Sequence, residues 1–156
     1  MALEPKPHAL ELDVSYAARR PWAPRPAQFE TWAGAALSGR RRSNVLSIRV
    51  VGAARSRSLN AHYRRKDKPT NVLSFRGAGR SPEGRNYLGE LVICAAVVAC
   101  EALAQGKSPE SHWAHMTVHG VLHLLGFDHE RPGEARKMAA REIQILDRLG
   151  FSDPYV

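Results

Sequence analysis

The chain has 156 residues, of which 44% are hydrophobic and 24% are charged, a length and composition typical of one globular domain. No apolar run is long enough to cross a membrane and no secretory signal is visible, so we expect one cytoplasmic domain over residues 1–156, with residues 1–8 loose. Two cysteines exclude a disulfide framework, and we expect both to be reduced and buried. The net charge of +8 favours a polyanionic partner such as RNA, DNA or an acidic membrane surface.

The first half of the chain predicts two strands and two helices. Alternating apolar and polar residues over Ala9–Tyr16 indicate a half-buried strand. A helix follows from Pro26, with Gly39 as its stop. A second strand is predicted from Asn44 to Val51, and a short basic helix covers the stretch from residue 53 to about 66.

The second half predicts two further strands and three helices, which gives an α+β fold with four strands and about five helices around one core. The predicted elements are a strand over Asn71–Arg76, a mobile polar loop over Gly77–Asn86, a central strand over Tyr87–Cys94, and helices over Ala95–Gly106, Ser108–Leu125 and Gly133–Leu149.

The stretch HGVLHLLGFDH, residues 119–129, carries three histidines at metal-ligand spacing. On a helix, His119 and His123 lie one turn apart and differ in direction by about 40°. Gly126 allows a left-handed reversal at the helix end, with Phe127 packing back, and this brings His129 to the same point. Three imidazoles leave a coordination position open, the pattern of a catalytic zinc site. We therefore predict a metal site at the end of this helix and in the turn that follows.

One position departs from the zinc proteases that share this spacing. Gly120 stands where those enzymes carry the glutamate that activates water. A peptidase of this kind would need its base elsewhere, and Asp128, Glu130 and Glu90 are the available carboxylates. Asp128, next to a ligand, is more typical of a residue that orients an imidazole. We interpret Gly120 as evidence for a substrate other than a peptide.

Further histidines and arginines accompany the motif. His115 lies one turn before His119 and either stands behind the ligands or on the substrate side, or has a plain packing role, whereas His112 is predicted to be exposed. A metal ion polarises a phosphoryl oxygen as readily as a carbonyl. Phosphodiester hydrolysis also needs a cation for the developing charge, and Arg64 or Arg65 in HYRRKDKPTN offers a planar fork suited to phosphate.

Three segments together resemble the YbeY family of bacterial endoribonucleases and ribosomal RNA maturation factors. They are LNAHYRRKDKPTNVLSF, LGELVIC and HGVLHLLGFDH, and the tail EARKMAAREIQILDRLGFSDPY supports the resemblance. The resemblance covers about residues 46 to 155. Two positions depart from frequent family residues: Arg76 stands in place of a proline and Glu90 in place of an aspartate.

The resemblance implies a fold, a metal and an activity. The implied fold is a small mixed sheet of about four strands with surrounding helices. It implies zinc ligands at His119, His123 and His129, and it places the family's functionally important arginine at Arg64. The implied activity is metal-dependent, single-strand-specific cleavage in 16S ribosomal RNA 3′-end maturation and ribosome quality control. The implied partners are single-stranded RNA, the small ribosomal subunit and assembly factors such as the GTPase Era.

Two alternatives are a zinc metallopeptidase-like hydrolase and a non-catalytic RNA-binding assembly factor with a structural metal. Three imidazoles also suit nickel, copper or iron, so the sequence leaves the metal open. It also leaves open the general base, which is Asp128, Glu90 or no protein carboxylate, and whether water or the RNA 2′-hydroxyl attacks.

Overall fold

The structure, a computed structural model, describes residues 10–40 and 43–156. Within those ranges the chain forms four strands and five helices, so the predicted α+β fold is confirmed. Their bounds are β1 Leu10–Tyr16, α1 Pro26–Ala36, β2 Ser43–Val51, α2 Ala53–Arg64, β3 Val72–Arg80, β4 Arg85–Cys94, α3 Ala95–Ala104, α4 Pro109–Leu124 and α5 Pro132–Arg148.

The four strands form one mixed sheet in the order β1-β2-β4-β3. β1 and β4 both run parallel to β2, and β3 runs antiparallel to β4 at the edge of the sheet. Because side chains alternate between the two faces of a strand, each strand contributes to both faces. One face is covered by helices α1, α4 and α5 and the other only in part, and the histidine motif lies on α4.

The main core fills the space between one face of the sheet and helices α1, α4 and α5. Leu46 and Ile48 of β2 and Leu91 of β4 project into it, and each is at most 1% exposed. Phe29 of α1 meets Trp113 of α4 edge to face, with ring centroids 5.8 Å apart. This packing fixes α4 against the sheet.

On the opposite face, a smaller apolar cluster covers part of the sheet. It joins Val51, Leu73, Val92 and Cys94 with the partly buried Leu59 of α2. Side chains of β3 and β4 nearer the hairpin turn stay at least partly exposed on this face.

The loop prediction for Gly77–Asn86 is wrong, because β3 continues to Arg80 and β4 begins at Arg85. The hairpin turn is short: the Ser81 N–H donates to the Arg85 carbonyl at 2.7 Å. Glycine and arginine are poor strand formers by propensity. Cross-strand pairing overrides that propensity here, with an irregular register between Arg76 and Gly79.

The remaining differences are at element ends. Helix α2 ends at Arg64, short of the predicted position 66. The predictions for residues 1–8 and for Ala9 lie outside the described residues. Both cysteines are free; Cys94 is buried as predicted, but Cys100 is exposed. None of the helices in the described ranges is long and apolar enough to cross a membrane.

Candidate metal centre

Helix α4 begins and ends at the residues predicted from sequence. The Ser108 hydroxyl accepts a hydrogen bond from the Ser111 N–H at 3.1 Å, and Pro109 occupies the first helical position. At the other end Gly126 has φ +102°, and the Phe127 N–H donates to the Leu122 carbonyl at 3.0 Å. This is a Schellman ending, which only a residue that tolerates positive φ adopts readily. It turns the chain back toward the helix it has just left.

That reversal brings the three histidines of the motif together. The ring centroids of His119 and His123 lie 4.7 Å apart, and those of His123 and His129 lie 4.8 Å apart. Nδ1 of His129 is 2.9 Å from Nε2 of His123. One nitrogen from each of the three rings lies within 4.8 Å of the others, a spacing that fits a single metal ion.

The protonation state of His123 also fits a metal. Burial, together with the neighbouring His119, His129 and Arg64, lowers the pKa of His123 to about 4. His123 is therefore neutral at pH 7, as a metal-binding imidazole must be.

A carboxylate on α5 lies directly behind the group. Glu142 is 1% exposed, and its Oε1 lies 3.0 Å from Nδ1 of His119. Its Oε2 hydrogen-bonds to Nε2 of His115 and accepts from the Tyr155 hydroxyl at 2.8 Å. Because Glu142 binds Nδ1 of His119, the Nε2 atom of that ring is left to face the other two histidines. A carboxylate of this kind commonly fixes the tautomer of a metal-binding histidine.

The charge of Glu142 follows from these partners. Burial alone raises the pKa of a carboxyl group, but the hydrogen bonds from His115 and His119 outweigh it and bring the pKa of Glu142 to about 2. An ionised carboxylate therefore lies against His119, one of the three predicted metal ligands. Burial beside Glu142 raises the pKa of Tyr155, which keeps its hydroxyl a hydrogen-bond donor.

Sequence reasoning missed Glu142 and Tyr155. A signal was present, since Met138, Glu142 and Leu146 follow one another at helical spacing on α5 and are all buried. A glutamate within an apolar stripe needs a buried partner, and two histidines supply it. His115, 7% exposed, lies against Oε2 of Glu142, and its role stays a prediction.

The prediction that His112 is exposed is wrong, because it is 2% exposed. Its Nε2 lies 2.8 Å from Oε1 of Glu101 on α3. Burial lowers the pKa of His112, and Glu101 partly opposes that effect. Its place between α3 and α4 gives it a packing role, away from the three imidazoles.

Gly120 has a packing explanation. A Cβ atom at this position would lie 2.8 Å from a methyl carbon of Leu91 and 3.3 Å from one of Val72. The next residue along a helix points about 100° away, so Gly120 faces the sheet while His119 faces the metal position. Any side chain here would have to displace Leu91 and Val72 in the core, which accounts for the missing glutamate without reference to substrate.

Arg64 reaches the centre from α2. The helix ends there because Arg65 adopts a left-handed conformation with φ 57°. The buried Asn60 side chain donates to the Lys68 carbonyl at 2.8 Å and pins the following turn. Arg64 is exposed and lies near enough to lower the pKa of His123. Among residues 10–40 and 43–156, no carboxylate lies within ion-pair distance of its guanidinium.

The predicted carboxylates are divided between two places. Oδ1 of Asp128 accepts the Glu130 N–H at 3.1 Å, and this bond is the main cause of the lowered pKa of Asp128. Its carboxylate serves the turn before His129. Glu90 lies on the other face of the sheet, paired with Arg49 at 2.7 Å, so the structure does not bring it to the imidazoles.

A mixed sheet carrying three convergent imidazoles that could hold a metal ion defines the class of small α+β proteins with a candidate metal site at a helix end. The chain belongs to the family described as Endoribonuclease YbeY, whose model matches residues 26–150. The resemblance inferred from sequence is thus confirmed.

Curated relatives agree over nearly the whole chain. The Endoribonuclease YbeY of Stenotrophomonas maltophilia strain K279a is 52% identical, covering 96% of this chain and 95% of the relative. That of Laribacter hongkongensis strain HLHK9 is 47% identical, covering 97% and 92%. The solution structure of TM1509 from Thermotoga maritima matches with a TM-score of 0.57 at 18% identity, covering 88% of each chain, which supports the fold alone.

Proposed function

We propose that His119, His123 and His129 hold one zinc ion and that the chain cleaves single-stranded RNA with it. Membership of the family makes the chain an endoribonuclease with a role in ribosomal RNA processing. The observation that carries the zinc proposal is the convergence of three imidazole nitrogens within 4.8 Å of one another. We further propose that the reaction belongs to 16S 3′-end maturation and ribosome quality control.

The residues around the proposed zinc have separate roles. A zinc ion held by three histidines would supply Lewis acidity toward a phosphoryl oxygen and lower the pKa of water. Glu142 fixes the ring of His119 from behind, at 3.0 Å. Tyr155 and His115 hold Glu142 in place through its second oxygen.

Arg64 would bind the scissile phosphate. Its guanidinium has no carboxylate partner within the described ranges and is near enough to His123 to lower the pKa of that imidazole. A planar fork matches two phosphate oxygens and stabilises the charge that develops on them. Arg65, which ends α2 in a left-handed conformation, does not share that role in this proposal.

Neither predicted carboxylate suits the role of general base. The lowered pKa of Asp128 makes it a weak base, and its oxygen already accepts a backbone N–H. Glu90 is paired with Arg49 on the opposite face of the sheet. We propose that the chain provides no carboxylate base, which leaves attack by water or by the RNA 2′-hydroxyl for product analysis to decide.

Partners and location follow as further proposals. The net charge of +8 supports an RNA partner, and the family supports the small ribosomal subunit and assembly factors such as the GTPase Era. A ribosomal substrate would place the protein in the cytoplasm.

The test compares substrates for one preparation. The zinc-loaded protein is incubated with single-stranded RNA, duplex RNA and a peptide library, alongside His123→Ala and the control His62→Ala, an exposed histidine outside the motif. The proposal expects cleavage of the single strand alone, lost in His123→Ala and kept in His62→Ala. Peptide turnover without RNA cleavage would overturn it in favour of a metallopeptidase.

A further inference from the structure

The face of the sheet opposite the metal centre carries two adjoining depressions along β3 and β4. One has a volume of about 320 Å³ and is bordered by Tyr63, Phe75 and Arg55. The other has a volume of about 340 Å³ and is bordered by Tyr87, Phe75 and Arg76. Phe75 and Glu90 form their common wall. We call this surface the β3–β4 platform.

Three aromatic rings stand along the platform. Tyr63 is 59% exposed and its ring meets Phe75 edge to face, with centroids 5.0 Å apart. Tyr87 is 37% exposed, and the Arg85 guanidinium lies 5.7 Å from its ring centroid. Large aromatic rings left open on a sheet are costly in water and are the usual surface on which unpaired nucleobases stack.

The charges on the platform favour a polyanion. Within the described part of the chain, the guanidinium groups of Arg55 and Arg76 have no carboxylate within ion-pair distance. The carboxylate Glu90 is neutralised by Arg49 at 2.7 Å. Farther across the same face, β1 exposes Asp13, and its Glu11 forms an ion pair with Arg85 of β4. The positive charges of Arg55 and Arg76 therefore favour a polyanion on the β3–β4 side of the sheet.

The platform is continuous with the metal centre around the edge of the sheet. β3 is the edge strand, so a flexible chain can pass around it without crossing a covered surface. Ser74 of β3 donates to the Gly120 carbonyl at 3.3 Å on the metal side, and its neighbour Phe75 faces the platform. Tyr63 borders the platform, and the next residue, Arg64, lies near enough to His123 to lower the pKa of that imidazole.

We infer that the β3–β4 platform binds two unpaired bases of a single-stranded RNA whose scissile phosphate lies at the metal centre. Tyr63, Phe75 and Tyr87 stack on the bases, and Arg55 and Arg76 contact the phosphates. Duplex RNA keeps its bases stacked within the helix and cannot use these rings, so the platform selects single strands. The inference rests on the proposed function for its choice of ligand.

The test measures binding separately from cleavage. Fluorescence anisotropy follows a labelled 2′-O-methyl single strand of about ten nucleotides, a length within the usual site sizes of single-strand binders. Tyr87→Ala and Tyr63→Ala should each bind about tenfold more weakly, whereas Tyr87→Phe and Tyr63→Phe should bind as the wild type does. Trp22→Ala is the control, since Trp22 is 41% exposed and lies outside the platform.

The charged residues have a different signature. Arg55→Gln and Arg76→Gln should each reduce the slope of affinity against salt concentration, which reports phosphate contacts. In a second measurement, photo-crosslinking of a thiouridine-substituted strand should label the peptide that contains Tyr87. Thermal melting of every variant confirms that the fold is retained.

Unchanged RNA affinity in both alanine variants, with crosslinks elsewhere on the surface, overturns the inference. A wild-type protein that binds through the platform but does not cleave RNA would overturn the proposed nuclease mechanism and leave the platform standing.

Discussion

Oε1 of Glu142 lies 3.0 Å from Nδ1 of His119, so a buried carboxylate on α5 fixes the ring of a proposed metal ligand on α4. The same carboxylate accepts the Tyr155 hydroxyl. The metal centre is thus held by contacts from the C-terminal helix and tail as well as by the histidine motif, and metal affinity should depend on both.

Glu142→Gln should weaken zinc binding about 10- to 100-fold, because the amide keeps the shape but loses the charge and one acceptor that orient His119. Competition against a chromophoric chelator measures the dissociation constant. Glu134→Gln is the matched control on the same helix. Glu134 is partly exposed, and its carboxylate lies 3.8 Å from the ammonium group of Lys137. An unchanged dissociation constant in Glu142→Gln would show that the contact does not orient the ligand.

Gly120→Ala should lower the free energy of unfolding by about 1–3 kcal/mol, since its Cβ would crowd the buried Leu91 and Val72. Gly34→Ala is the control within helix α1, where a Cβ meets nothing within 4 Å. That variant should gain up to about 1 kcal/mol. Urea denaturation measures both, and an equally stable Gly120→Ala protein would refute the packing explanation for the missing glutamate.

Arg64→Ala should slow single-turnover RNA cleavage about a hundredfold while zinc content stays at the wild-type level, because the side chain is exposed and supports charge on the phosphate. Arg64→Lys should recover part of the rate, since it keeps the charge but not the fork. Arg148→Lys, on the last turn of α5, is the control. Wild-type rates in Arg64→Ala would remove this residue from the mechanism.

Stability of the metal-free protein should fall as pH drops from about 6.5 to 4. The pKa of His123 is lowered from 6.5 to about 4 in the folded state, so in this window the unfolded chain binds the proton first. The contribution of neutral His123 to the free energy of unfolding is therefore fully present above pH 6.5 and is lost as the pH falls toward 4. Chelator-treated protein, melted across this range, gives the slope, which should be shallower in His123→Gln and unchanged in the control His62→Gln. Equal slopes in wild type and His123→Gln would contradict the assignment.

Sequence periodicity and end signals were sufficient for the fold and for the three imidazoles. Ser108, Pro109 and Gly126 act locally, so the bounds of α4 and the reversal to His129 followed from spacing alone. Glu142 lies on another helix, 23 residues after His119 in the sequence. Local sequence patterns do not predict which residues of two helices will be in contact. The hairpin over residues 77–86 was missed because pairing between β3 and β4 outweighs the low strand propensity of the residues in this segment.

The central claim is that one metal ion held by His119, His123 and His129 makes this chain a ribonuclease. Its most direct test is to titrate zinc into rigorously metal-free protein while following cleavage of a labelled single-stranded RNA. Cleavage should be absent at the start, rise in proportion to added zinc, and reach its maximum at one equivalent, with no rise in His123→Ala. Full cleavage by the metal-free protein, or an equal response in His123→Ala, would contradict the claim.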